Sequence, residues 1–531
     1  MTNQQWWRDA VIYQIYPRSF ADSNADGYGD LPGIIDRLPY LVELGIDAIW
    51  LSPFYKSPMA DAGYDVADYR KIDPMFGNLD DAQRLIDASH AHGLRIIIDL
   101  VPNHTSDEHV WFQAALAASP GSPERDRYLF RDGQGEDGQE PPNNWTSVFG
   151  GDAWTRLRDA DGNPEQWYLH MFDSKQPDLN WENPEVREEF EDILRFWLDR
   201  GVDGFRIDVA HGMVKAPGLP DQEVELGLLE TESGPQWDQP GVHDIYRSWN
   251  KVLAPYEGDR MLVAEAWVHE DKLAAYVRSD EMQQAFNFDF LQCPWDATEL
   301  RAVIDNSLSS MDAVGAPTTW VLSNHDVSRV RSRMGSEDTG NRMNIGPKDP
   351  QPDHELGLMR ANAATLLMLA LPGSAYIWQG EELGLPDHTT LPDEFRQDPT
   401  WFRTKGQEIG RDGCRIPIPW EADDASPTWL PRPDSYRSLA ADQQVGVPGS
   451  TWSFYRDALR LRRELGLGTG GIEWQDTQVD GVLSFRNGNI LVVANTSDKP
   501  VTMPAGEVLI TSLPVGDGDL PGNAAAWLRL S

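Results

Sequence analysis

Two sequence periods alternate along this chain, and that alternation constrains its fold more than any other feature. Eight short apolar runs suited to strands occupy 11–16, 48–51, 94–101, 202–209, 261–266, 285–290, 319–322 and 375–378. Between and after them lie segments with apolar residues at helical spacing, at 31–44, 80–91, 184–199, 242–253, 271–277, 298–310, 355–371 and 452–465. A strand covered on both faces is apolar throughout, whereas a helix packed on one side is apolar only along a stripe. Strand and helix repeated eight times predict a closed parallel (β/α)8 TIM barrel of the α/β class rather than an open sheet. Asn183 is placed to cap the helix over 184–199, and Gly201 to end it.

Two stretches break the alternation. From 104 to 177 the chain is rich in Asp, Gly, Pro and Asn, with one strand-like run at 166–171. It lies between the third strand and the third helix, so a small domain inserted in a barrel loop is expected. After 466 the pattern becomes period-two runs with turns, at 481–486, 489–494 and 507–511, which predicts an antiparallel β domain of sandwich type over 467–531. The barrel would then comprise 1–103 and 178–466.

Composition narrows the function classes. The 531 residues carry 45 basic and 85 acidic side chains, a net charge of −40. Such a field repels nucleic acid and anionic membranes and leaves a neutral substrate untouched. The two cysteines, Cys293 and Cys414, lie far apart and in no metal-binding spacing. The polar start of the chain has no secretory pattern, and no apolar run is long enough to span a bilayer. The expectation is a cytoplasmic protein, monomer or homodimer, acting on a small uncharged molecule.

The strand ends carry the chemistry, because barrel active sites form at the C-terminal ends of strands. Strand three ends in Asp99-Leu-Val-Pro-Asn103-His104, and strand four in Arg206-Ile-Asp208-Val209. Strand five ends in Glu265-Ala-Trp267, and strand seven in Ser323-Asn-His325-Asp326. Side chains alternate along a strand, so Arg206 and Asp208 project to the same side. Unpaired acids are too costly for a core, so carboxylates gathered at successive strand ends must be paired, solvated or catalytic. Glycoside hydrolysis uses such a set: one carboxylate attacks the anomeric carbon, while another protonates the leaving oxygen and later activates water. Arg206 would keep Asp208 ionised, and apolar neighbours such as Trp267 would help keep Glu265 protonated.

With these motifs in this order, the chain resembles the α-amylase superfamily of glycoside hydrolases, and within it the oligo-1,6-glucosidase and α-glucosidase group. The likeness runs from Trp7 to about Trp420 and includes a further motif, Gln176-Pro-Asp-Leu-Asn-Trp181. It implies Asp208 as nucleophile, Glu265 as acid/base, Asp326 as the third carboxylate holding sugar hydroxyls, and retention of the α-anomer. His104, Arg206 and His325 would be supporting residues, with Phe149, Phe172 and Gln176 lining the pocket. It also implies Tyr64 as a stacking platform. Asp61 would pair with Arg411, or with Arg415 as the competing assignment, to grip the terminal 4-hydroxyl. A pocket closed by such a pair admits only chain ends, hence exo attack.

Asp22-Ser-Asn24-Ala-Asp26-Gly-Tyr28-Gly-Asp30 alternates oxygen donors as an EF-hand-like loop does, but lacks the twelfth-position Glu. An Asp-rich turn and a calcium site both fit the residues, and the resemblance favours structural Ca2+. Val209, after the nucleophile, is the residue that the resemblance associates with α-1,6 cleavage, although Ala210-His211-Gly212 departs from the usual pattern. His211 fits either the acceptor subsite or a plain loop. The resulting expectation is an exo-acting α-glucosidase for short malto- or isomalto-oligosaccharides or related disaccharides. Two alternatives remain at this point: a glucosyl transferase or isomerase sharing the glucosyl-enzyme intermediate, and an inactive sugar-binding relative.

Overall fold

A computed structural model describes residues 5–159, 161–223, 234–340, 343–516 and 518–530. Eight strands form one parallel sheet: β1 Val11–Ile15, β2 Ala48–Leu51, β3 Arg95–Leu100, β4 Gly204–Ile207, β5 Met261–Ala264, β6 Gln284–Ala285, β7 Thr319–Val321 and β8 Ser374–Trp378. Their order is β6-β5-β4-β3-β2-β1-β8-β7. The Asn287 N–H just past β6 donates to the Thr319 carbonyl of β7 at 3.1 Å and brings the two ends of the sheet together. The helices are α1 Leu31–Leu44, α2 Leu79–Ala91, α3 Pro184–Leu198, α4 Val242–Leu253, α5 Glu270–Tyr276, α6 Ala297–Asp312, α7 His354–Ala370 and α8 Thr451–Leu465.

Local sequence explains the boundaries. Asn183 caps α3 by accepting from Glu185 N–H at 2.9 Å, with Pro184 at the first helical position. Gly201, at φ +101°, comes three residues after the last helical one and turns the chain toward β4. The run 285–290 departs from expectation: only its first residue is strand. The Asn287 side chain accepts from Phe290 N–H at 2.9 Å and caps a helical turn, Phe288–Leu291. A capping side chain there outcompetes the aromatic preference for a strand.

Register decides what meets inside the barrel. Asp99 pairs with Arg206 across β3 and β4, and Arg206 with Val263 across β4 and β5. Residues two apart share a face, so Ile97 and Asp99, Arg206 and Asp208, and Val263 and Glu265 all point inward. The lower layer is an apolar plug that includes Ile12, Ala48, Trp50, Ile97, Met261, Val263, Val321 and Tyr376. Gly204 starts β4 in this layer, where a β-carbon would stand 2.7 Å from the Met261 sulfur. The charged layer therefore rests on a packed floor, and the opposite strand faces pack against the helices.

Between β3 and α3 the inserted segment builds a three-stranded antiparallel sheet from Phe130–Arg131, Pro164–Leu169 and Trp154–Arg158, together with the helix Val110–Ala117. Beyond α8, β9 Ile472–Trp474, β10 Val482–Asn487, β11 Ile490–Asn495, β12 Glu507–Thr511 and β13 Ala524–Arg529 form an antiparallel sheet in the order β9-β10-β11-β13-β12. The Trp527 indole of β13 donates to the Leu366 carbonyl of α7 at 3.0 Å and ties this sheet to the barrel. No helix among the described residues is long and apolar enough to cross a membrane.

Candidate active site

At the centre of the charged layer, Arg206 is buried and serves three acids. Its Nη1 donates to Asp99 Oδ1 at 2.9 Å and to Asp208 Oδ1 at 2.6 Å, while Nη2 lies 3.2 Å from Glu265 Oε2. One guanidinium bridging Asp208 and Glu265 suits the short carboxylate separation that a retaining displacement requires, about 5–5.5 Å. Glu265 is held on both oxygens, since Oε2 accepts from Val209 N–H at 2.7 Å and Oε1 from the Trp267 indole at 2.9 Å. Trp267 stacks flat on Phe288, with centroids 3.7 Å apart. Val209 reaches its position with φ +46°, an unusual backbone for a β-branched residue.

Burial raises Asp208 well above the ordinary aspartate range despite Arg206, and Glu265 and Asp99 add to the rise. Glu265 is also raised by burial, against the pull of Arg206 and with a push from Asp326. Asp99 rises to about 7 for the same first reason. Four carboxylates around one arginine thus retain protons near neutrality, which supplies the proton that a general acid must hold.

Asp326 behaves oppositely. Its burial is outweighed by His325, Arg411 and Arg415, which hold its carboxyl well below the usual range. Arg411 Nη1 and Arg415 Nη2 each donate to Asp326 Oδ1 at 3.0 Å. His325 is kept neutral by burial. Its Nδ1 lies 2.7 Å from the Gln14 amide and its Nε2 2.6 Å from the Tyr64 hydroxyl, and its ring is parallel to that of Tyr64.

The far wall resolves the competing arginine assignments. Arg411 Nη2 donates to Asp61 Oδ1 at 2.7 Å, whereas Arg415 Nε donates to the His325 carbonyl at 2.8 Å. Gln176 Nε2 donates to Asp61 Oδ2 at 3.1 Å and lies as close to His104 Nε2. Asp398, which sequence reasoning missed, accepts from Arg411 Nε at 2.5 Å and from its backbone N–H at 3.0 Å. Asp61 is raised by burial to about 7, while Arg411 and Arg415 overcome burial to hold Asp398 near about 2. Phe149 lies under the Arg411 guanidinium at 4.9 Å and packs edge-on against Phe172, which in turn contacts His104.

Asp61, Tyr64, His104, Phe149, Phe172, Asp208, Val209, Glu265, His325, Asp326 and Arg411 thus line one pocket, with Arg206 beneath it and Gln176 behind Asp61. The free volume among them is about 30 Å³, room for one water, so a sugar entering must take over contacts these side chains now make with one another. Gln14, also missed, carried a signal: it is the polar residue at an inward position of an apolar run. Asp398 carried none, because it sits in an irregular loop. His211 does not line the pocket; it is buried against the Trp237 ring, with Nδ1 unpartnered among the described residues.

In the Asp22–Asp30 loop, the side-chain oxygens bind the loop's own backbone. Asp22 Oδ1 accepts from Asn24 and Ala25 N–H, Asn24 Oδ1 from Asp26 N–H, and Asp26 Oδ1 from Tyr28 N–H. Asp30 caps α1, accepting from Gly33 N–H at 2.6 Å. The all-oxygen donor set suits a hard cation, yet among the described residues no three His, Cys, Asp or Glu side chains gather as ligands.

Residues 14–468 match the family described as alpha amylase, catalytic domain. The chain belongs to the α-amylase family. It is a glycoside hydrolase of that family and is 36% identical to the oligo-1,6-glucosidase of Parageobacillus thermoglucosidasius, over 86% of this chain and 84% of the relative. Among solved structures it is similar to an alpha-glucosyl transfer enzyme, XgtA, with a TM-score of 0.85 and 36% identity over 99% of this chain and 100% of that one. It is also similar to the trehalulose synthase MutB of Pseudomonas mesoacidophila MX-45, with a TM-score of 0.84 and 31% identity over 99% of each chain.

Proposed function

We propose that this α-amylase family member is a retaining, exo-acting α-glucosidase that removes glucose from the non-reducing ends of short malto- or isomalto-oligosaccharides or related disaccharides. The observation that carries this reading is the Asp61–Arg411 pair, braced by Gln176, Asp326 and Asp398, closing the pocket opposite Asp208 and Glu265. In the first displacement an Asp208 oxygen bonds to the anomeric carbon. The glycosidic C–O bond breaks, and the Glu265 proton passes to the leaving oxygen. In the second, water gives a proton to Glu265, its oxygen bonds to the anomeric carbon on the opposite face, and the Asp208 ester breaks. Asp326 and His325 hold the ring hydroxyls, and Tyr64 presents a flat surface to the sugar. His104 at the pocket wall and the lining Val209, Phe149 and Phe172 shape the rest.

The names of the relatives fit an oligosaccharide substrate. The likeness to transfer and synthase structures favours a second reading in which a sugar, not water, accepts the glucosyl group. A product time course by NMR on maltose, isomaltose, sucrose and trehalose separates them. Early α-glucose is the expected result and identifies hydrolysis with retention; rearranged disaccharide without free glucose identifies an isomerase. Silence on all four substrates overturns both readings.

Calcium in the loop of Asp22, Asn24, Asp26, Tyr28 (through its carbonyl) and Asp30 is part of the proposal, as a brace for α1 rather than a reactant. Its removal by chelation is expected to lower Tm by several degrees, about 1 kcal/mol. An unchanged Tm, with no metal found by elemental analysis, discards it.

A further inference from the structure

Beside the pocket runs a separate groove of about 600 Å³ that shares Phe149, Asp326 and Arg411 with it. Three segments build it: the inserted domain through Val148, the loop after β7 through Met343, and the loop after β8 through Trp401 and Ile409. The loops are locked together, since a β-carbon on Gly346 would stand 2.8 Å from the Ile409 side chain and one on Gly406 3.0 Å from the Trp401 ring. Asn344 Nδ2 donates to the Asp326 carbonyl at 3.3 Å and fastens one wall to the pocket.

The groove differs from the pocket in chemistry. Val148, Trp401 and Ile409 are half-buried, and Met343 is 54% exposed, an unusual cost for a side chain next to a polar site. Charged residues such as Lys348 and Glu408 stand exposed at its edge. A sugar ring carries hydroxyls on most carbons, and each one buried without a partner is costly. Valine, methionine and isoleucine offer none. An aryl group asks for no hydrogen bonds and recovers the apolar contact these side chains forgo in water.

We propose that this groove is an aglycone site for aromatic alcohols, so that the glucosyl group on Asp208 passes to an aryl or benzylic hydroxyl in preference to a sugar hydroxyl. This rests on the glucosidase reading and deepens it. The transfer balances as the second displacement does: the acceptor O–H proton goes to Glu265, its oxygen bonds to the anomeric carbon, and the Asp208 ester breaks to the free carboxylate.

The test uses α-glucosyl fluoride as donor, because fluoride leaves without an aglycone. Benzyl alcohol and glucose compete as acceptors at equal concentration, and products are counted per fluoride released. The wild-type enzyme should form benzyl α-glucoside over glucosyl-glucose by about tenfold, the order that one well-packed apolar group confers. Met343→Gln and Trp401→Gln should each cut that ratio severalfold. The exposed position of Met343 keeps the test sound if the tryptophan variant does not fold. Equal or preferred use of glucose, water as the only acceptor, or an unchanged ratio in a folded Met343→Gln would overturn the inference. No fluoride release from the wild-type enzyme overturns the glucosidase reading itself, and the aglycone site with it.

Discussion

The pocket and the groove beside it share three side chains but are built by opposite rules. The pocket is made at strand ends, where β-sheet parity and register fix each side chain to its neighbours. Asp99, Arg206, Asp208 and Glu265 interlock there because Asp99 and Arg206 are register partners and the strands are rigid. The groove is made of loop segments that meet only after folding, and its walls are joined by packing and few hydrogen bonds. Chemistry placed on strands tolerates little change, while specificity placed on loops can drift.

The sharpest way to break this contrast is at Asp208. If it is the nucleophile, Asp208→Asn should reduce turnover by about 10⁴-fold with Tm little altered, because the amide oxygen still accepts from Arg206. D208A with added azide should then form β-glucosyl azide, the inverted product of a small anion entering where the carboxylate stood. Near-normal turnover in Asp208→Asn, or α-configured azide product, refutes the assignment.

A smaller effect separates the closed end of the pocket from its reacting end. Asp398 touches Arg411 on Nε and on its backbone N–H, and it also caps the helix Pro399–Arg403 by accepting from Thr400 N–H at 2.8 Å. Asparagine caps helices as well as aspartate does, so Asp398→Asn removes the charge and keeps the cap. Arg411 then loses one of its three carboxylates and holds the chain end less firmly. KM should rise about tenfold, with kcat changed much less. The advantage of a glucoside over its 4-deoxy analogue should shrink by a similar factor. If kcat falls instead and that discrimination stays, Asp398 serves the fold rather than the grip.

Legibility in the sequence follows the same divide. The barrel was readable because strands buried on both faces leave continuous apolar runs, and six of the eight runs coincide with their strands to within two residues at each end. The run at 202–209 narrowed to the four residues of β4, and the one at 285–290 failed because Asn287 diverts the chain. In the site, every residue chosen at a strand end came together, since one face of one barrel collects them. What escaped was set by tertiary contact alone. Asp398 lies in a loop without periodicity, and the choice between Arg411 and Arg415, four residues apart, needed the folded loop to show that one meets Asp61 and the other the His325 carbonyl. β13 escaped for a different reason: Ala524-Ala-Ala-Trp527 has no β-branched residue and becomes a strand only because small side chains fit beneath α7.

The smallest effect concerns how rigid placement is registered in stability. His104 is buried at the junction of β3 and the inserted domain, with Nε2 3.1 Å from the Tyr64 carbonyl and Nδ1 3.1 Å from the Asn103 amide. Burial lowers it from 6.5 to about 4, against the pull of Asp178. Its folded value lies below its unfolded one, so as pH falls the unfolded chain takes up the proton first. The contribution of neutral His104 is complete above about pH 6.5 and is lost as pH falls toward about 4, a change of about 3 kcal/mol at most. Asp61 and Asp99, raised to about 7, act in the opposite sense across an overlapping range, so the wild-type curve alone does not isolate the histidine. The difference curve does. Urea unfolding of His104→Gln and wild type from pH 4 to 7 should show the variant's deficit shrinking as pH falls, because only the wild-type protein loses stability through this group. A deficit that stays constant across that range would mean His104 is already protonated in the folded protein, and the close packing of the inserted domain on the strand ends would then have to accommodate a buried charge.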